Sequence, residues 1–577
     1  MSAEPAALVG AARAWLQDDP DPETRSMLAQ WIESERYAEL GAAMTPLTFG
    51  TAGLRAVEGP GPGCMNLAVV IRAARGLADW LERAEPDARV LPVVVGYDAR
   101  TNSRRYAELV IRVLVAARLH VRYFDEPVPT PLVAFAARAY GAQAAVCITA
   151  SHNPPEYAGL KVYAGNAVQI VQPVDLEIAR AIDRVGPAKD VPLGPELAAA
   201  PAVSDPDAPR AQVIPTEMSE RYLAELMALR SSPTTASELR IVYTPLHGVG
   251  GACTLEVLRR AGYSEVFPVQ EQLAPDASFP TVRFPNPEEP GALDLALAEA
   301  AKAHADLVLA HDPDADRLAV CVPDASGEWR ALSGNQVGVL LADYVLRRAG
   351  PGPKPFVVSS VVSSPMLSSI AQANGAEGIR TLTGFKWMLN AALELERERG
   401  WRFVYAYEEA LGYCVRGPVR DKDGIGAGLL FADLVKDARS LGRSVDDLLE
   451  ELYTAHGLWV SSLVTVSFQE LREAEARLLR LRQAPPTSLA GQGTARVTDY
   501  ALNASERPWY LGEANLLELA FGEHARVLVR PSGTEPKLKI YADFRQAYEP
   551  SRTLREQTAE AKQKADELSR TVAELLA

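Results

Sequence analysis

The sequence lacks the features that would place the chain in a membrane or outside the cell. No apolar run approaches the roughly 20 residues that a membrane-spanning helix needs, and Met1–Pro20 has no basic start followed by an apolar segment, as a signal peptide would. The five cysteines are odd in number and show no C-x-x-C spacing, which argues against a disulfide framework and against a zinc site. We therefore expect a cytoplasmic protein in a reducing compartment.

Positive charge is also scarce. Lys and Arg number 59 against 74 Asp and Glu, and the net charge of -15 argues against nucleic acid or an anionic membrane as the main partner. A phosphate-bearing substrate would have to be bound by local lysines and arginines. No G-x-x-x-x-G-K-[ST] motif is present, so a Walker A nucleotide site is excluded. We expect small molecules as partners, and the sequence makes no prediction of oligomeric state.

A chain of 577 residues with 48% hydrophobic and 23% charged residues is typical of a globular protein of three to five domains. Apolar residues recur at helical spacing near the N-terminus, which predicts a helical extension over residues 1–45. The Pro-, Ala- and Asp-rich segment Val185–Pro215 is typical of a domain boundary or a surface excursion.

Pairs of buried-strand patterns recur three times after the extension. The first strands are predicted at Val93–Asp98, Ile241–His247 and Phe356–Ser360, and the second strands at Ala144–Ile148, Leu307–Ala310 and Phe403–Ala406. Helical patterns lie between them, so the chain predicts repeated α/β units with functional residues at the carboxyl ends of the strands. We expect three related mixed-sheet α/β domains that present their second strand ends to one shared cleft.

The C-terminal part has a different pattern. Strands are predicted at Trp459–Val466, Arg526–Val529 and Leu538–Tyr541, and helices at Glu470–Leu481 and Ser551–Ala577, which together indicate a smaller α+β domain. The expected boundaries are 1–45 for the helical extension, 46–212, 213–325 and 326–455 for the three α/β domains, and 456–577 for the C-terminal domain.

Ser151 follows the predicted strand Ala144–Ile148. Because the two prolines Pro154 and Pro155 end a strand and restrict the residues before them, the segment predicts a stiff loop with the Ser151 hydroxyl displayed at its tip. The alternative is an ordinary β-turn with a solvated serine.

Three aspartates alternate along the loop after the second strand of the next unit. Asp312, Asp314 and Asp316 would repel one another unless a cation neutralised them, and their hard oxygen ligands favour Mg²⁺ or Ca²⁺. An EF-hand is excluded because its sixth and twelfth positions would be Arg317 and Pro323. Arg317 is well placed for a phosphate beside the metal. The alternative is a solvated acidic turn.

Two further stretches predict ligand contacts. Arg530, Ser532, Gly533 and Thr534 combine a guanidinium, two hydroxyls and a permissive glycine, as a phosphate-binding loop requires, although a type I turn would also favour this composition. Glu408 and Glu409 are carboxylates that could accept hydrogen bonds from sugar hydroxyls. Thr383, Gly384 and Lys386 belong to a glycine turn that ends in a cation. Isolated glutamate pairs are more often solvated surface residues.

These pieces together resemble the α-D-phosphohexomutase superfamily over about residues 45–545. The similar motifs are Thr149–Pro155, Asp312–Arg317, Glu408–Gly412 and Arg530–Thr534, with Arg420–Ile425 resembling a segment of the third domain. The resemblance implies four domains around a central cleft and a phosphoserine at Ser151. It implies Mg²⁺ held by the seryl phosphoryl group and by Asp312, Asp314 and Asp316, and a sugar bisphosphate such as glucose 1,6-bisphosphate as intermediate and activator. It also implies roles near the reacting phosphate for Arg55, Lys161 and His152.

The Glu408–Tyr413 form of the sugar motif is similar to a branch of longer mutases. That branch includes phosphoglucomutases, phosphopentomutases and glucose 1,6-bisphosphate synthases. The resemblance implies an intramolecular phosphotransferase that interconverts glucose 1-phosphate and glucose 6-phosphate, with a pentose phosphate mutase or a bisphosphate synthase as alternatives. A serine phosphatase and an inactive sugar-phosphate-binding protein are the alternatives from other classes.

Overall fold

The computed structural model describes residues 5–48, 53–84, 90–197, 210–231, 236–493, 495–532 and 536–576. Contacts divide the chain into two compact units. The first unit contains Met1–Val320 and Arg416–Leu429, and the second contains Cys321–Val415 and Leu430–Ala577. All five cysteines are free thiols. Within the described ranges, no helix has the length and apolar character that crossing a membrane would require.

The helical pattern at the N-terminus is present as three helices rather than one. They are α1 (Pro5–Asp18), α2 (Pro22–Glu33) and α3 (Tyr37–Ala43). The break between α1 and α2 falls at an Asp-Pro-Asp-Pro sequence, where the Asp21 side chain accepts a hydrogen bond from Glu23 N and a proline occupies the first turn. An aspartate cap followed by proline is a strong helix start, which explains why α2 begins there.

The first unit continues with a six-stranded mixed sheet and its helices. Its elements are β1 (Leu54–Val57), α4 (Leu67–Ala84), β2 (Val93–Tyr97), α5 (Ser103–Ala116), β3 (Val121–Tyr123), α6 (Thr130–Ala139), β4 (Ala144–Ile148), β5 (Tyr157–Ala164), α7 (Val174–Asp183) and β6 (Ala211–Val213). The strand order is β1-β5-β4-β2-β3-β6, with β4 parallel to β2 and antiparallel to β5. The two fully buried strands predicted from their apolar runs, β2 and β4, lie side by side at the centre of this sheet.

A second group of strands in the first unit repeats this arrangement. Its elements are α8 (Glu217–Met227), β7 (Ile241–Thr244), α9 (Gly251–Arg260), β8 (Val266–Pro268), α10 (Gln270–Leu273), α11 (Asp294–Ala303) and β9 (Leu307–Ala310). The predicted strand pair, β7 and β9, is again parallel and hydrogen-bonded, with Ile241 opposite Leu307.

The second unit contains a third strand group and the C-terminal sheet. The next elements in the chain are β10 (Ala319–Pro323), β11 (Trp329–Ala331), α12 (Gly334–Arg347), β12 (Pro355–Ser360), α13 (Met366–Ala373), β13 (Glu377–Thr381), α14 (Phe385–Arg399), β14 (Arg402–Glu408), β15 (Gly412–Val415), α15 (Gly424–Ser440) and α16 (Val445–His456). The third sheet has the order β13-β12-β14-β15, and the predicted pair β12 and β14 is parallel.

The C-terminal sheet is entirely antiparallel. It is built from β16 (Leu458–Ser467), α17 (Leu471–Gln483), β17 (Arg496–Asp499), β18 (Leu517–Phe521), β19 (Ala525–Pro531), β20 (Lys537–Gln546) and α18 (Leu554–Leu576). The strand order is β16-β20-β19-β18-β17, and apolar residues of α17 and α18 cover one face. The predicted fold class, three α/β domains and a C-terminal α+β domain, is confirmed.

Among the strands that the sequence did not predict, β5 bears directly on the site. The loop after β4 returns as β5, which pairs with β4 along its length, so Ser151 lies in a hairpin connection rather than in a strand-to-helix loop. Lys161 interrupts the apolar sequence of β5, and because a lysine is seldom buried without a charged partner, the segment does not predict a buried strand.

Candidate functional site

Ser151 is buried, not displayed at an exposed loop tip as the sequence predicted. Only 3% of the residue is exposed, and its backbone has a left-handed φ of 53°. The Ser151 N–H donates to Thr149 Oγ1 at 2.8 Å, which helps to hold this uncommon conformation. The prolines do form the expected turn, but the surrounding chain covers the serine.

Arg100 fixes the loop through its backbone. Its Nη2 donates to the carbonyl oxygens of Ser151 and Asn153 at 2.7 and 2.5 Å, and its Nη1 donates to those of Pro154 and Tyr157 at 2.7 and 3.1 Å. The guanidinium therefore binds three carbonyls of the serine loop and the carbonyl of Tyr157, the first residue of β5. Sequence reasoning missed Arg100, since nothing near it in the chain marks the loop 50 residues later as its partner.

The Ser151 hydroxyl contacts two side chains that could take part in chemistry. Its Oγ donates to Asp312 Oδ2 at 2.8 Å and lies 3.2 Å from His152 Nδ1. Burial, together with the positive charges of Arg317 and Arg55, holds the pKa of His152 well below its usual range. His152 is therefore a neutral imidazole beside the hydroxyl at neutral pH.

Asp312, Asp314 and Asp316 form a compact group in the connection that follows β9. One carboxylate oxygen from each lies within 4.8 Å of the others, and all three residues are fully buried. Asp314 Oδ1 and Asp316 Oδ1 are buried without a hydrogen-bond partner. Unpaired carboxylate oxygens in a buried site are costly unless a cation binds them. The residues present therefore fit a hard divalent cation such as Mg²⁺.

The electrostatics of the three carboxylates agree with a site that needs positive charge. Burial and the like charges of Asp314 and Asp316 raise the pKa of Asp312 well above its ordinary value. Burial also opposes ionisation of Asp314, but the charge and hydrogen bond of Lys161 outweigh it and lower the pKa. A cation bound among the three carboxylates would offset the repulsion that raises the pKa of Asp312.

Two lysines supply the positive charge next to the aspartates. Lys161 Nζ, itself buried on β5, donates to Asp314 Oδ2 at 2.7 Å and to Asp316 Oδ2 at 2.9 Å. Lys422 Nζ lies 3.1 Å from Asp316 Oδ2. The sequence predicted Lys161 at the site, but it missed Lys422 and also Thr130, whose hydroxyl donates to Asp314 Oδ2 at 2.6 Å.

The segment Arg416–Leu429, which carries Lys422, is part of the first unit. Asp421 accepts hydrogen bonds from Tyr163 OH and Gln169 Nε2, both at 2.7 Å. The Arg420–Ile425 motif was a usable signal, but the sequence did not connect it with the aspartates.

Arg317 and Arg55 are the remaining cations near Ser151. Arg317 N donates to Asp312 Oδ1 at 3.1 Å, and its guanidinium lies 3.7 Å from Glu288. Arg55 Nη1 donates to Asn153 Oδ1 at 3.0 Å on the serine loop. Burial lowers the pKa of Arg55, yet an arginine remains a cation at neutral pH. Both guanidinium groups can therefore bind a phosphate beside the serine.

The glycine turn at His247–Gly251 has a packing role at this site. A Cβ on Gly248 would lie 2.3 Å from Pro313 Cα, and Val249 N donates to Pro313 O at 2.8 Å. The function of this turn in supporting the aspartate loop depends on contacts that no local pattern reveals.

His311 links the aspartate loop to the Lys422 segment. Its Nε2 lies 3.0 Å from Gly424 O, and since a carbonyl can only accept, Nε2 carries the proton. Nδ1 then accepts from Tyr243 OH at 3.1 Å. Burial lowers the pKa of His311 to about 4.

We expect this buried histidine to make the protein sensitive to mild acid. A folded-state pKa of about 4 lies below the unfolded value of 6.5, so the stability contributed by neutral His311 is complete above pH 6.5 and is lost as the pH falls. Between pH 7.5 and pH 5 the loss is about 2 kcal/mol. The thermal unfolding midpoints of wild type and His311→Gln, measured at both pH values, should therefore differ less at pH 5. Equal pH dependence in the two proteins would contradict this assignment.

The second unit contains the predicted sugar and phosphate residues. Glu408, at the end of β14, accepts a hydrogen bond from Gly384 N through Oε1 at 2.6 Å. Gly384 has a φ of 122°, a conformation that favours glycine, and α14 begins at the next residue. The Thr383–Lys386 turn and the glutamate pair are thus joined, with Thr383 half-buried and Lys386 buried at the first turn of α14.

Glu409 points to a different set of partners. Its Oε2 accepts hydrogen bonds from Ser360 Oγ at 3.1 Å and from Ser363 Oγ at 2.9 Å. Its other oxygen, Oε1, has no hydrogen-bond partner among the described residues. The two neighbouring glutamates therefore are not simply solvated surface residues, because both carboxylates accept hydrogen bonds from the protein.

Arg530 lies near the end of β19. Its Nη2 donates to Tyr541 OH at 3.0 Å, and its guanidinium is 5.6 Å from the centre of the Tyr541 ring. Burial acts to lower the pKa of Arg530, but the charges of Tyr541, Glu409 and Glu408 outweigh it and raise the pKa. Ser532 N donates to Lys537 O at 2.8 Å, which closes the hairpin loop. Gly533 and Thr534 lie outside the described residues.

Comparison with known families covers most of the chain. Three families described as phosphoglucomutase/phosphomannomutase, alpha/beta/alpha domains I, II and III match residues 46–188, 220–327 and 333–456, and the phosphoglucomutase/phosphomannomutase C-terminal domain matches residues 496–561.

Individual relatives agree with these matches. A protein named probable phosphomannomutase from Haemophilus influenzae is 37% identical over 487 residues, covering 83% of this chain and 93% of the relative. A protein named probable phosphoribomutase from Schizosaccharomyces pombe is 37% identical over 552 residues, covering 91% and 92%. The open form of parafusin, a phosphoglucomutase from Paramecium, has the same fold, with a TM-score of 0.66 at 18% identity over 92% of this chain and 96% of that one. This chain therefore belongs to the phosphoglucomutase/phosphomannomutase family of the α-D-phosphohexomutase superfamily and is an intramolecular phosphotransferase.

Proposed function

We propose that this enzyme moves a phosphoryl group between C1 and C6 of glucose phosphate, through a phosphoserine at Ser151 and a glucose 1,6-bisphosphate intermediate. The observation that carries the proposal is the contact between the Ser151 hydroxyl and Asp312, in a buried group of three carboxylates that has unpaired oxygens. A hydroxyl at the edge of a cation site is the arrangement that phosphoryl transfer requires.

Asp312, Asp314 and Asp316 would hold Mg²⁺, which when bound would neutralise charge on the phosphoryl group. Lys161 and Lys422 keep Asp316 paired, and Lys161 also pairs with Asp314. The lysines therefore limit the repulsion among the carboxylates before substrate binds. Arg317 and Arg55 supply two guanidinium groups for the oxygens of the seryl phosphate.

In the transfer step, the bond between Ser151 Oγ and phosphorus breaks, and a bond forms between phosphorus and a free sugar hydroxyl oxygen. The hydroxyl proton must go to a group that is unprotonated at neutral pH. Of the three basic residues predicted near the phosphate, Lys161 and Arg55 are cations, whereas burial leaves His152 neutral. We assign His152, which lies 3.2 Å from Ser151 Oγ, as the group that accepts this proton and supplies a proton to the departing Ser151 Oγ. In the return transfer, the other phosphate of the bisphosphate passes to Ser151 Oγ, whose proton goes to His152, and His152 gives a proton to the departing sugar oxygen.

We assign the rest of the substrate to Glu408, Glu409 and the Arg530 loop. Glu408 and Glu409 accept hydrogen bonds from sugar hydroxyls, Glu409 through the oxygen Oε1 that its two serine partners do not contact. Arg530, with Ser532, Gly533 and Thr534, binds the phosphate that does not react. A mutase needs such a group because its substrate carries a phosphate at the end away from the reacting hydroxyl, whereas a phosphatase does not need to retain a bisphosphate.

A pentose phosphate is the second candidate substrate. The relative named phosphoribomutase matches 91% of this chain, against 83% for the relative named phosphomannomutase, at the same 37% identity. The reaction and the site residues would be unchanged, but the phosphate would move between C1 and C5 of ribose.

A substrate panel separates these candidates. Initial rates should be measured with glucose 1-phosphate, mannose 1-phosphate and ribose 1-phosphate, each with its bisphosphate as primer and saturating Mg²⁺. We expect kcat/KM to be highest for glucose 1-phosphate, by about tenfold or more, because a site that hydrogen-bonds particular hydroxyls discriminates against sugars that present them differently. A higher value for ribose 1-phosphate would assign the pentose reaction. Release of inorganic phosphate without isomer formation would contradict both.

A further inference from the structure

The two serines that hold Glu409 belong to a buried turn after β12. Ser360 and Ser363 are 0% and 2% exposed, and their hydroxyl oxygens lie 2.9 Å apart. Ser363 Oγ also lies 3.3 Å from Glu409 N, so this hydroxyl contacts both the backbone and the carboxylate of the same glutamate. Because both hydroxyls converge on Oε2, they orient the carboxylate so that Oε1 is left for a ligand.

The same turn is bound from the C-terminal sheet by Arg526. Its Nη2 donates to the carbonyl oxygen of Ser363 at 2.5 Å, and its Nε donates to Asp543 Oδ2 at 2.7 Å. Arg526 on β19 and Asp543 on β20 are direct register partners. Ser363 thus contacts Glu409 with its hydroxyl and the C-terminal sheet with its carbonyl.

A second hydrogen-bonded connection runs parallel to the first. Ser364 N donates to Asn335 Oδ1 at 2.8 Å, Asn335 Nδ2 donates to Ser461 Oγ at 2.9 Å, and Ser461 Oγ donates to Asp543 Oδ1 at 2.6 Å. Both connections therefore end on the two oxygens of one buried carboxylate, Asp543. A buried polar network in which every member has a partner specifies one geometry.

Arg526 lies on the same strand and the same face as Arg530, four residues before it. Leu528 lies between them and packs with Tyr541, Val361 and Val362 in one apolar cluster. Because Val361 and Val362 belong to the turn that holds Glu409, this face of the sheet packs against that turn. A displacement of Arg526 relative to Ser363 would also displace Arg530, because both arginines lie on the same strand. The separation between Glu409 and Arg530 is set by this junction.

We infer that Ser363 and Arg526 are positioning residues which fix the distance between the carboxylate of Glu409 and the guanidinium of Arg530, and that they thereby determine which sugar phosphate the enzyme prefers. This inference rests on the proposed function, in which Glu409 accepts sugar hydroxyls and Arg530 binds the distal phosphate. Neither positioning residue needs to touch the substrate. A hexose and a pentose phosphate differ in the spacing between ring hydroxyls and phosphate, so a fixed spacing of the protein groups favours one of them.

The test compares Ser363→Ala and Arg526→Lys with wild type on glucose 1-phosphate and ribose 1-phosphate. Ser363→Ala removes one of two hydrogen bonds to the Glu409 carboxylate but keeps the carbonyl that Arg526 binds. Arg526→Lys keeps the charge beside Asp543 but cannot reach both partners with one planar group. For each variant we expect KM for the preferred substrate to rise about tenfold, while kcat changes by less than about threefold.

The ratio of kcat/KM for the two substrates is the decisive measurement. We expect it to move toward one by about threefold or more in both variants, because a looser spacing discriminates less. The ratio is independent of the fraction of folded enzyme, since both substrates are measured on the same sample. The double variant should be no worse than the worse single variant within about twofold, since both substitutions break one connection.

Ser462→Ala is the matched control. Ser462 is a buried serine of the same unit whose hydroxyl donates to a carboxylate, Asp566 at 2.6 Å, and not to Glu409. It should leave the substrate ratio unchanged. An active wild type whose two variants keep the wild-type ratio and KM would overturn the positioning role and leave the proposed function standing. A wild type that turns over neither substrate, with its primer and Mg²⁺, would overturn the proposed function and this inference with it.

Discussion

Ser151→Ala should abolish mutase turnover, with kcat reduced on the order of 10⁴-fold or more, as for removal of other enzymatic nucleophiles. The fold should survive, because Arg100 holds the loop through backbone carbonyls that alanine retains. The conformational free energy of the left-handed φ at this position is also similar for alanine and serine, since both carry a Cβ. Turnover of glucose 1-phosphate with bisphosphate primer measures the first effect, and the thermal unfolding midpoint measures the second.

Intact-mass analysis adds a readout that does not depend on turnover. Wild type incubated with glucose 1,6-bisphosphate should gain the mass of one phosphoryl group, and Ser151→Ala should gain none. Ser237→Ala is a suitable control, because Ser237 is a buried serine of the same unit whose hydroxyl accepts a hydrogen bond from a local backbone N–H, that of Leu239. Substantial mutase activity in Ser151→Ala would remove Ser151 from its proposed role.

Removal of divalent cations should have the second large effect. We expect excess chelator to lower kcat by about 10³-fold or more, because a bound cation contributes several kcal/mol to transition-state stabilisation in such sites. Added Mg²⁺ should restore the rate. Mg²⁺ should also raise the unfolding midpoint of the chelated protein, since it binds the native carboxylate group and relieves its repulsion.

Asp314→Asn separates this effect from a general salt effect. The substitution keeps the size of the side chain but removes one charge from a group in which Asp314 Oδ1 is an unpaired ligand oxygen. It should weaken the Mg²⁺ dependence of both rate and stability. Asp324→Asn, in an exposed turn, is the control and should behave as wild type. Full activity in excess chelator would contradict the metal assignment.

The sequence predicted the parts of the fold that have a local signal. The six strands of the repeated pairs are present, and each pair is parallel and adjacent, because apolar β-branched runs such as Val93–Tyr97 are determined by their own composition. The ends of these strands were also informative, since Ser151 and Asp312 follow the second strand of a pair and Glu408 is the last residue of another.

The rest could not be predicted because its causes lie far apart in the chain. The burial of Lys161 is explained by Asp314 and Asp316, some 150 residues later, and without them a lysine argues against a buried strand. Lys422 reaches the same group from more than 100 residues later in the chain. In the same way, the burial of Ser151 depends on Asp312 and Arg100 rather than on the prolines that made it conspicuous.

The four carbonyl contacts of Arg100 bear on how a bisphosphate can be processed. A loop whose peptide groups are immobilised by one guanidinium has little conformational entropy left to lose when it is phosphorylated. The proposed reaction nevertheless requires the two ends of the sugar to exchange places between half-reactions. With the seryl segment held stationary, that half-turn has to be made by the small molecule.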